Sequence, residues 1–430
     1  MLKEIINIEN IDGQLFEIKL VDPDNSKSAS FTHYLHNHKN GVSQFYKKDA
    51  LSYVKEILEK EYPTNEITLE VAESALQYLL FDLNKSARFP APENPTFKFI
   101  DLFAGIGGFR IGGQNNNGKC VFSSEWDKFA QQTYKSNFGE FPFGDITKIE
   151  ADAIPNHDVL FAGFPCQPFS YSGRNEGFKD KTRGTLFFDI LRILEAKKPK
   201  MFLLENVKGL KSHNKGKTLE TIIDSLTKLG YQLHWEILKS TDFGLPQKRE
   251  RWYCLGSLDK IDFKFPKKEK EQVTLRSIID ENEDSENLKL TEFELERINY
   301  HFRNVKDNYQ RVEHDSSKYE PTTKKGRHGV YSYQKPDGSL RFHVGDHAKT
   351  QIQEAFYCTL DTYSPTIIAN RVPKLWDIGR KLSVLEAQRL QGFPDKYGFP
   401  VSDNQAYKQL GNSVSVPVVD LIINEMTKHL

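Results

Sequence analysis

Gly163-Phe164-Pro165-Cys166-Gln167-Pro168-Phe169-Ser170 follows directly on the apolar run Val159-Leu160-Phe161-Ala162. Four consecutive apolar residues without polar alternation read as a parallel strand buried on both faces. Pro165 and Pro168 lack an N–H and restrict the residues before them, so the chain can neither continue as a strand nor begin a helix. The Cys166 thiol is therefore presented on a stiff turn at the carboxyl end of a strand, where open α/β sheets carry their chemistry. A lone free cysteine usually behaves as a small core hydrophobe. Two prolines, a glycine, Ser and Gln around it are not core residues, so here the functional reading is preferred.

Working outward, Phe97 to Phe103 reads as a strand that Ala104-Gly105-Ile106-Gly107-Gly108-Phe109-Arg110 turns into a helix. Glycines at such a turn let a ligand approach the backbone and the helix N-terminus. By itself the turn fits many nucleotide-binding sheets. The next strand, Cys120 to Ser124, ends at Glu125-Trp126, about 20 residues past the turn, where an acid can hold a ribose diol and an indole can stack on adenine. A third element ends at Gly144-Asp145-Ile146, and Asp145 can accept from an adenine amino group. Downstream, Met201 to Leu204 reads as a strand ending at Glu205, and Arg249 and Arg251 alternate on one face of a strand entering Trp252-Tyr253-Cys254-Leu255. Lys248 and Glu250 then face the other way, into solvent.

The chain has 430 residues and no net charge, with 27% charged and 12% aromatic residues. That is room for two or three domains. Residues 1–94 carry 10 Lys and Arg against 15 Asp and Glu, so the later part is net positive and should face any polyanion. Four cysteines, Cys120, Cys166, Cys254 and Cys358, stand far apart with no C-x-x-C pair, which indicates neither a zinc site nor a disulfide framework. The N-terminus has no apolar signal core and no run reaches transmembrane length, so a reducing cytoplasm is expected.

Residues 1–94 read as an extension. Ile5 to Leu20 reads as a hairpin around Asp12-Gly13. Lys48 to Lys60 and Leu69 to Leu83 have helical spacing, with Pro63-Thr64-Asn65 between them. Such helices can form an accessory domain, pack on the catalytic body, or, less in keeping with their acidity, read DNA. The proline-rich Arg88 to Pro95 marks a boundary. Gln167 to Arg183 is a Ser-, Gly- and Lys-rich loop, with a helix opening after Thr185. Residues 257–380 lack strand–helix alternation, and Lys324 to Lys349 carries six Lys and Arg against two Asp, interleaved with Tyr331, Tyr333, Phe342 and three His. That mixture suits a DNA groove face.

In chain order, FIDLFAGIGGFR, SEWDKFA, GDIT, AGFPCQPFS, RGTLFFD, LLENVKGL, LPQKRERWYCLG, LEAQRLQGFP and YKQLGNSVSVPVV resemble the motifs of bacterial DNA cytosine-5 methyltransferases, over roughly residues 97–256 and 380–420. The resemblance implies an α/β fold: a Rossmann-like S-adenosylmethionine-dependent methyltransferase sheet (95–256, with 405–430 returning to it) and a smaller, β-rich target recognition domain (257–404). A mainly helical accessory extension (1–94) precedes them. It implies methylation of cytosine C5 in double-stranded DNA at a short, G/C-rich palindrome of a restriction-modification system, by a monomeric, cytoplasmic enzyme that flips the base out of the helix. A tRNA cytosine methyltransferase of the same fold would carry a much smaller insert than residues 257–380. A silent DNA-binding regulator would have no need of Cys166, Glu205 and Arg251, and a nicotinamide dehydrogenase would lack the Pro-Cys-Gln and QxRxR elements.

By the same resemblance Cys166 is the nucleophile. A thiolate adding at C6 turns the ring into an enamine whose C5 can attack the sulfonium methyl. A free thiol has a pKa of about 8.5, so the site must favour the thiolate or remove its proton. Glu205 bonds N3 and the amino group of cytosine, Arg251 bonds its O2, Arg249 braces the nucleophile loop or a phosphate, and Asn206 orders the corner. Cofactor contacts are implied for Phe103, Gly105, Gly107, Glu125, Trp126, Asp145, Ile146, Pro165, Leu186 and Asn412, with Gln409 to Ser413 returning to that pocket. DNA contacts are implied for Gln167, Ser170, Ser172, Arg327, Arg341 and Thr366, the last in a Thr-centred element beside Cys358-Thr359-Leu360. Arg380 to Pro394 scaffolds the recognition domain.

Overall fold

The structure, a computed structural model, describes residues 5–9, 15–19, 26–37, 41–64, 66–82, 87–165, 186–267, 273–307, 310–318, 330–336, 338–344, 353–369 and 371–430. Cys166, Gln167, Ser170, Ser172 and Arg327 lie outside these residues.

Strands β1 (Ile5–Glu9) and β2 (Leu15–Lys19) pair antiparallel as the expected hairpin. Three helices follow, α1 (Ser26–His36), α2 (Ser43–Glu61) and α3 (Leu69–Asp82). The sequence reading misses α1, because SASFTHYLH carries little apolar periodicity. Its small polar side chains are buried nonetheless, with Thr32 and His33 bonding back to the Ala29 carbonyl.

The central sheet begins with β3 (Phe97–Leu102), α4 (Gly108–Asn115), β4 (Gly118–Ser124) and α5 (Lys128–Phe138). It continues through β5 (Val159–Gly163), α6 (Leu186–Lys197), β6 (Met201–Val207), α7 (Lys217–Lys228) and β7 (Gln232–Lys239). After the short β8 (Gln247–Lys248) it closes with β9 (Glu250–Ser257). Its order is β4-β3-β5-β6-β9-β7; β4, β3, β5 and β6 run parallel, and β9 is antiparallel to both its neighbours. The third element expected at Gly144 is reduced to a single bridge between Ser124 and Phe143. Strand β6 runs past its expected end, so Glu205 and Asn206 lie within it and are held by β9.

Period-2 alternation divides the apolar strand residues between two layers. Phe99, Phe161, Leu203 and Leu255 meet the last helix, Val416–Thr427, on one face; Ile100, Leu160, Leu204 and Cys254 meet α6 and α7 on the other. The second layer also takes in the extension: Phe31, Tyr46, Val54 and Leu58 join Val121, Phe122 and Phe143 in one core. Of the arrangements the extension allowed, packing on the catalytic body is the one found.

Past β9 come α8 (Glu292–Asn304), β10 (Val312–His314), β11 (Val330–Gln334), β12 (Leu340–Val344) and β13 (Gln353–Cys358). Then follow β14 (Ser364–Pro365), β15 (Lys374–Leu375), β16 (Arg380–Lys381), α9 (Val384–Leu390), α10 (Asp403–Asn412) and α11 (Val416–Thr427). A second sheet has the order β10-β11-β12-β13-β15-β16, while β14 pairs with β8. The fold is thus α/β, a parallel-rich sheet with a separate β-rich region. Among the described residues no helix is long and apolar enough to cross a membrane.

Candidate active site and cofactor pocket

At the carboxyl ends of β3, β4, β5 and β6 a cavity of about 580 Å³ opens where the strand order reverses, the usual ligand position in such sheets. Its first wall is the glycine turn after β3. Phe103 and Gly105 both take positive φ, 54° and 55°, an unusual backbone for a non-glycine residue that local structure must hold. The Gly105 N–H donates to Glu125 Oε2 at 2.8 Å, and the Asp127 N–H donates to Oε1 at 2.8 Å. Burial raises the Glu125 carboxyl above its ordinary value, against these backbone donors, which pull it down.

Trp126, beside it, is 79% exposed on the pocket wall. Asp127 turns away to cap α5, accepting from the Phe129 and Ala130 N–H groups, and pairs with Lys408 at 2.8 Å. Asp145 Oδ1 accepts from both the N–H and the hydroxyl of Thr147, while Oδ2 lies 3.9 Å from the Lys148 ammonium. Nine of the ten expected cofactor residues line the cavity. Gly107 is the exception: a Cβ there would meet Phe138 at 2.3 Å. Its role is close packing against α5, a correction to its placement in the pocket.

The far end of the cavity holds a charged cluster. Glu205 is 8% exposed, and its Oε1 lies 3.0 Å from Arg251 Nε. Burial raises the Glu205 carboxyl; Arg251 and Arg249 pull it back. Asn206 donates from Nδ2 to the Phe164 carbonyl at 2.9 Å and accepts from the Val207 N–H, so β6 fixes the end of β5 two residues before Cys166. The described cysteines, Cys120, Cys254 and Cys358, are buried. Burial pushes the Cys120 thiol up to about 12 and raises that of Cys254, so these two thiols are inert.

Several expectations need correction. Arg249 is 3% exposed and donates to the carbonyls of Ile367, Gly411 and Ser413. With its guanidinium so engaged it reaches no phosphate. Burial, then Arg251, lowers its pKa to about 9, which still leaves it a cation at neutral pH. Glu250 is not merely solvated: it pairs with Lys208 at 2.9 Å. Arg341, expected at a DNA groove, is 8% exposed, because β12 lies inside the second sheet between β11 and β13. Thr366 donates its hydroxyl to the Lys248 carbonyl at 2.7 Å. The sequence reading missed Lys408, whose partner Asp127 lies 281 residues away.

Gln409 tests whether the cavity suits S-adenosylmethionine. The residue lines the cavity; its Oε1 accepts from Thr133, while its Nε2 is buried without a hydrogen-bond partner. That donor needs an acceptor, and the nucleoside and amino-acid parts of the cofactor both carry acceptors. With an acid and an exposed indole at consecutive positions, the donor set fits the cofactor.

Residues 97–428 match the family described as C-5 cytosine-specific DNA methylase. The type II methyltransferase M.HaeII of Haemophilus aegyptius is 43% identical over 78% of this chain and 94% of its own length. The type II methyltransferase M.DsaV of Dactylococcopsis salina is 41% identical over 79% of this chain and 88% of its own length. The crystal structure of S. pombe Dnmt2 methyltransferase superposes with a TM-score of 0.55 at 19% identity, over 77% of this chain and 99% of that one. A putative DNA modification methyltransferase encoded within a prophage in E. coli gives 0.53 at 22% identity.

Proposed function

Because the chain belongs to the C-5 cytosine-specific DNA methylase family, we propose that the cavity and its charged end divide one reaction between Cys166, Glu205 and Arg251. The protein is a site-specific DNA (cytosine-5) methyltransferase of the restriction-modification type, and its methyl donor is S-adenosylmethionine. When bound, that cofactor supplies an electrophilic methyl group on a sulfonium. Glu125 and Trp126 hold its nucleoside and Asn412 closes the pocket. The Cys166 thiolate adds at C6 of a flipped cytosine, Glu205 gives a hydrogen bond to N3 as the charge of addition builds there, and Arg251 holds O2; once C5 has taken the methyl group, loss of the C5 proton lets the thiolate leave C6. The observation that carries this reading is Glu205, buried against Arg251 on the wall of the cofactor cavity and joined through Asn206 to the strand that leads into Cys166.

In this reading the target is a short, G/C-rich palindrome, the enzyme works as a cytoplasmic monomer, and residues 257–380 choose the flanking bases within a small lobe of 257–404. Bisulfite sequencing of plasmid from an expressing host tests it: methylated cytosines should recur in one short motif, and their absence would overturn it. Exchanging 257–380 for the same stretch of a relative with another target should move the motif with it; an active hybrid that keeps the original site sinks that assignment.

Two further results are expected. Glu125→Ala removes the acceptor of two backbone N–H groups and a pocket wall, so calorimetry should show cofactor affinity weakened by about tenfold or more, roughly one to two hydrogen bonds to a charged group. Asp145→Ala, whose carboxylate already caps a turn, should weaken it less. The second result concerns Glu205, which keeps its proton in the folded protein above the pH at which it ionises when unfolded. Between those two values the native state binds more protons, so stability falls as pH rises through that window. Turnover should fall as pH rises through the folded-state value, at the upper end of that window, where the N3 proton donor is lost. Glu205→Gln should slow kcat by about a hundredfold or more and flatten both pH dependences. An unchanged alkaline limb in the variant would show that the group titrating there is another.

A further inference from the structure

Gly411 lies in α10, one residue from its end. A glycine inside a helix costs about 1 kcal/mol relative to alanine, so its presence asks for a reason. A Cβ at this position would meet the Ile368 carbonyl carbon at 2.4 Å and the Ala369 nitrogen at 2.5 Å. Both are backbone atoms that cannot swing aside. Gly411 therefore lets the cofactor wall touch the backbone of Ile368 and Ala369, in a segment, 364–369, that itself lines no part of the cofactor cavity.

The contact is reinforced by buried polar groups. Gln247, fully buried, accepts the Ile367 N–H at 2.9 Å and donates to the Leu390 carbonyl and to Gln391 Oε1. Gln391 in turn donates to the Leu410 carbonyl at 2.6 Å and accepts from the Ser415 hydroxyl. Arg249 ties Ile367 directly to Gly411 and Ser413 through their carbonyls. On the outer side Ser364 and Pro365 pair with β8, and Thr366 bonds the Lys248 carbonyl. A buried network in which both side-chain amides find partners is rigid.

We propose that Gln247, Gln391 and Gly411 form a clasp that couples the cofactor wall, Gln409 to Ser413, to the segment Ser364 to Ala369 on the recognition side of the molecule. These are positioning residues. Filling the cofactor pocket orders the wall, and the clasp passes that order to residues 364–369. Duplex DNA then binds an already ordered segment, and by reciprocity DNA tightens cofactor binding by the same factor. The inference rests on the methyltransferase reading above.

The test is hydrogen exchange on the full chain with S-adenosylhomocysteine and no DNA, with calorimetry first establishing that the ligand binds. If the wild-type protein does not bind it, the methyltransferase reading itself fails. If it binds, exchange in 364–369 should slow by about fivefold or more, the low end of ordinary coupling, while 330–344 stays unchanged. Binding with no change in 364–369, or an equal change in both segments, overturns the clasp. In Gly411→Ala the slowing should disappear while a cooperative thermal transition is kept; retained slowing again overturns the proposal. Should Gly411→Ala not fold, Gln247→Asn serves: it shortens the amide without adding bulk, and the slowing should be lost there too.

Discussion

Cys166→Ser is expected to reduce methyl transfer to below about a hundredth of the wild-type rate, a barrier increase of about 2.7 kcal/mol or more. The reason lies in what cytosine lacks. Its C5 is not nucleophilic enough to take a methyl group until a soft nucleophile has added at C6, and a serine hydroxyl at neutral pH is no substitute for a thiolate. None of the described cysteines can stand in for Cys166, since Cys120 and Cys254 are buried with their thiols pushed up, and Cys358 is buried as well. The strand before Cys166 is anchored, because Phe164 is 4% exposed and its carbonyl is held by Asn206. Replacing sulfur by oxygen two residues later therefore changes the reacting atom and leaves the pocket walls in place. Cofactor affinity by calorimetry should stay within about threefold. A variant with more than a hundredth of the wild-type turnover would rule out the covalent step; one that loses cofactor binding as well would make Cys166 part of the fold instead.

What could be read from the sequence depended on whether a residue's partners were local. The central strands were legible because parallel strands buried on both faces are continuous apolar runs, as in Val159 to Ala162 and Met201 to Leu204. Glu125 and Trp126 were legible because a strand end is a position in sequence as well as in space. The apolar run ends the strand at Glu205, whereas cross-strand pairing with β9 carries it on to Val207; pairing between strands leaves no mark in a single segment. Arg249 shows the limit best. Its alternation with Arg251 suggested a shared face and a phosphate contact, but its acceptors lie 118 to 164 residues further on. Arg341 erred in the opposite direction: a basic residue among aromatics looks exposed until the strand order puts neighbours on both sides. Helix α1 escapes the periodicity because Ser28, Ser30, Thr32 and His33 are buried in it alongside Phe31, Tyr34 and Leu35, so apolar and polar side chains do not separate onto two faces.

Deleting residues 1–88 is expected to leave no stable enzyme. The acidic extension is separated from the catalytic sheet by a proline-rich boundary, and the family match, residues 97–428, begins beyond it. In this chain the sheet has come to rely on the extension. Val121, Phe122 and Phe143 are buried in the same core as Phe31, Tyr46 and Leu58, and Tyr46 gives its hydroxyl to the Val121 carbonyl at 2.6 Å. Polar groups cross the boundary too: Thr32 Oγ1 accepts the Phe141 N–H, and His33 Nε2 lies 3.5 Å from Glu140. Glu140 is the buried partner of Arg110, which extends from the helix after the glycine turn. Although burial opposes it, Arg110 and two histidines of α1 hold the Glu140 carboxyl down at about 2. Uncovering the three apolar side chains alone forfeits roughly 6 kcal/mol at about 2 kcal/mol each, comparable with the whole stability of an ordinary domain. The truncated protein should be insoluble, or melt more than about 10 °C below the full chain. Tyr46→Phe, which orphans only the Val121 carbonyl, should cost about 1–3 kcal/mol. A soluble truncation melting within a few degrees of the full chain and still methylating the same sites would show that the extension merely rests on the sheet.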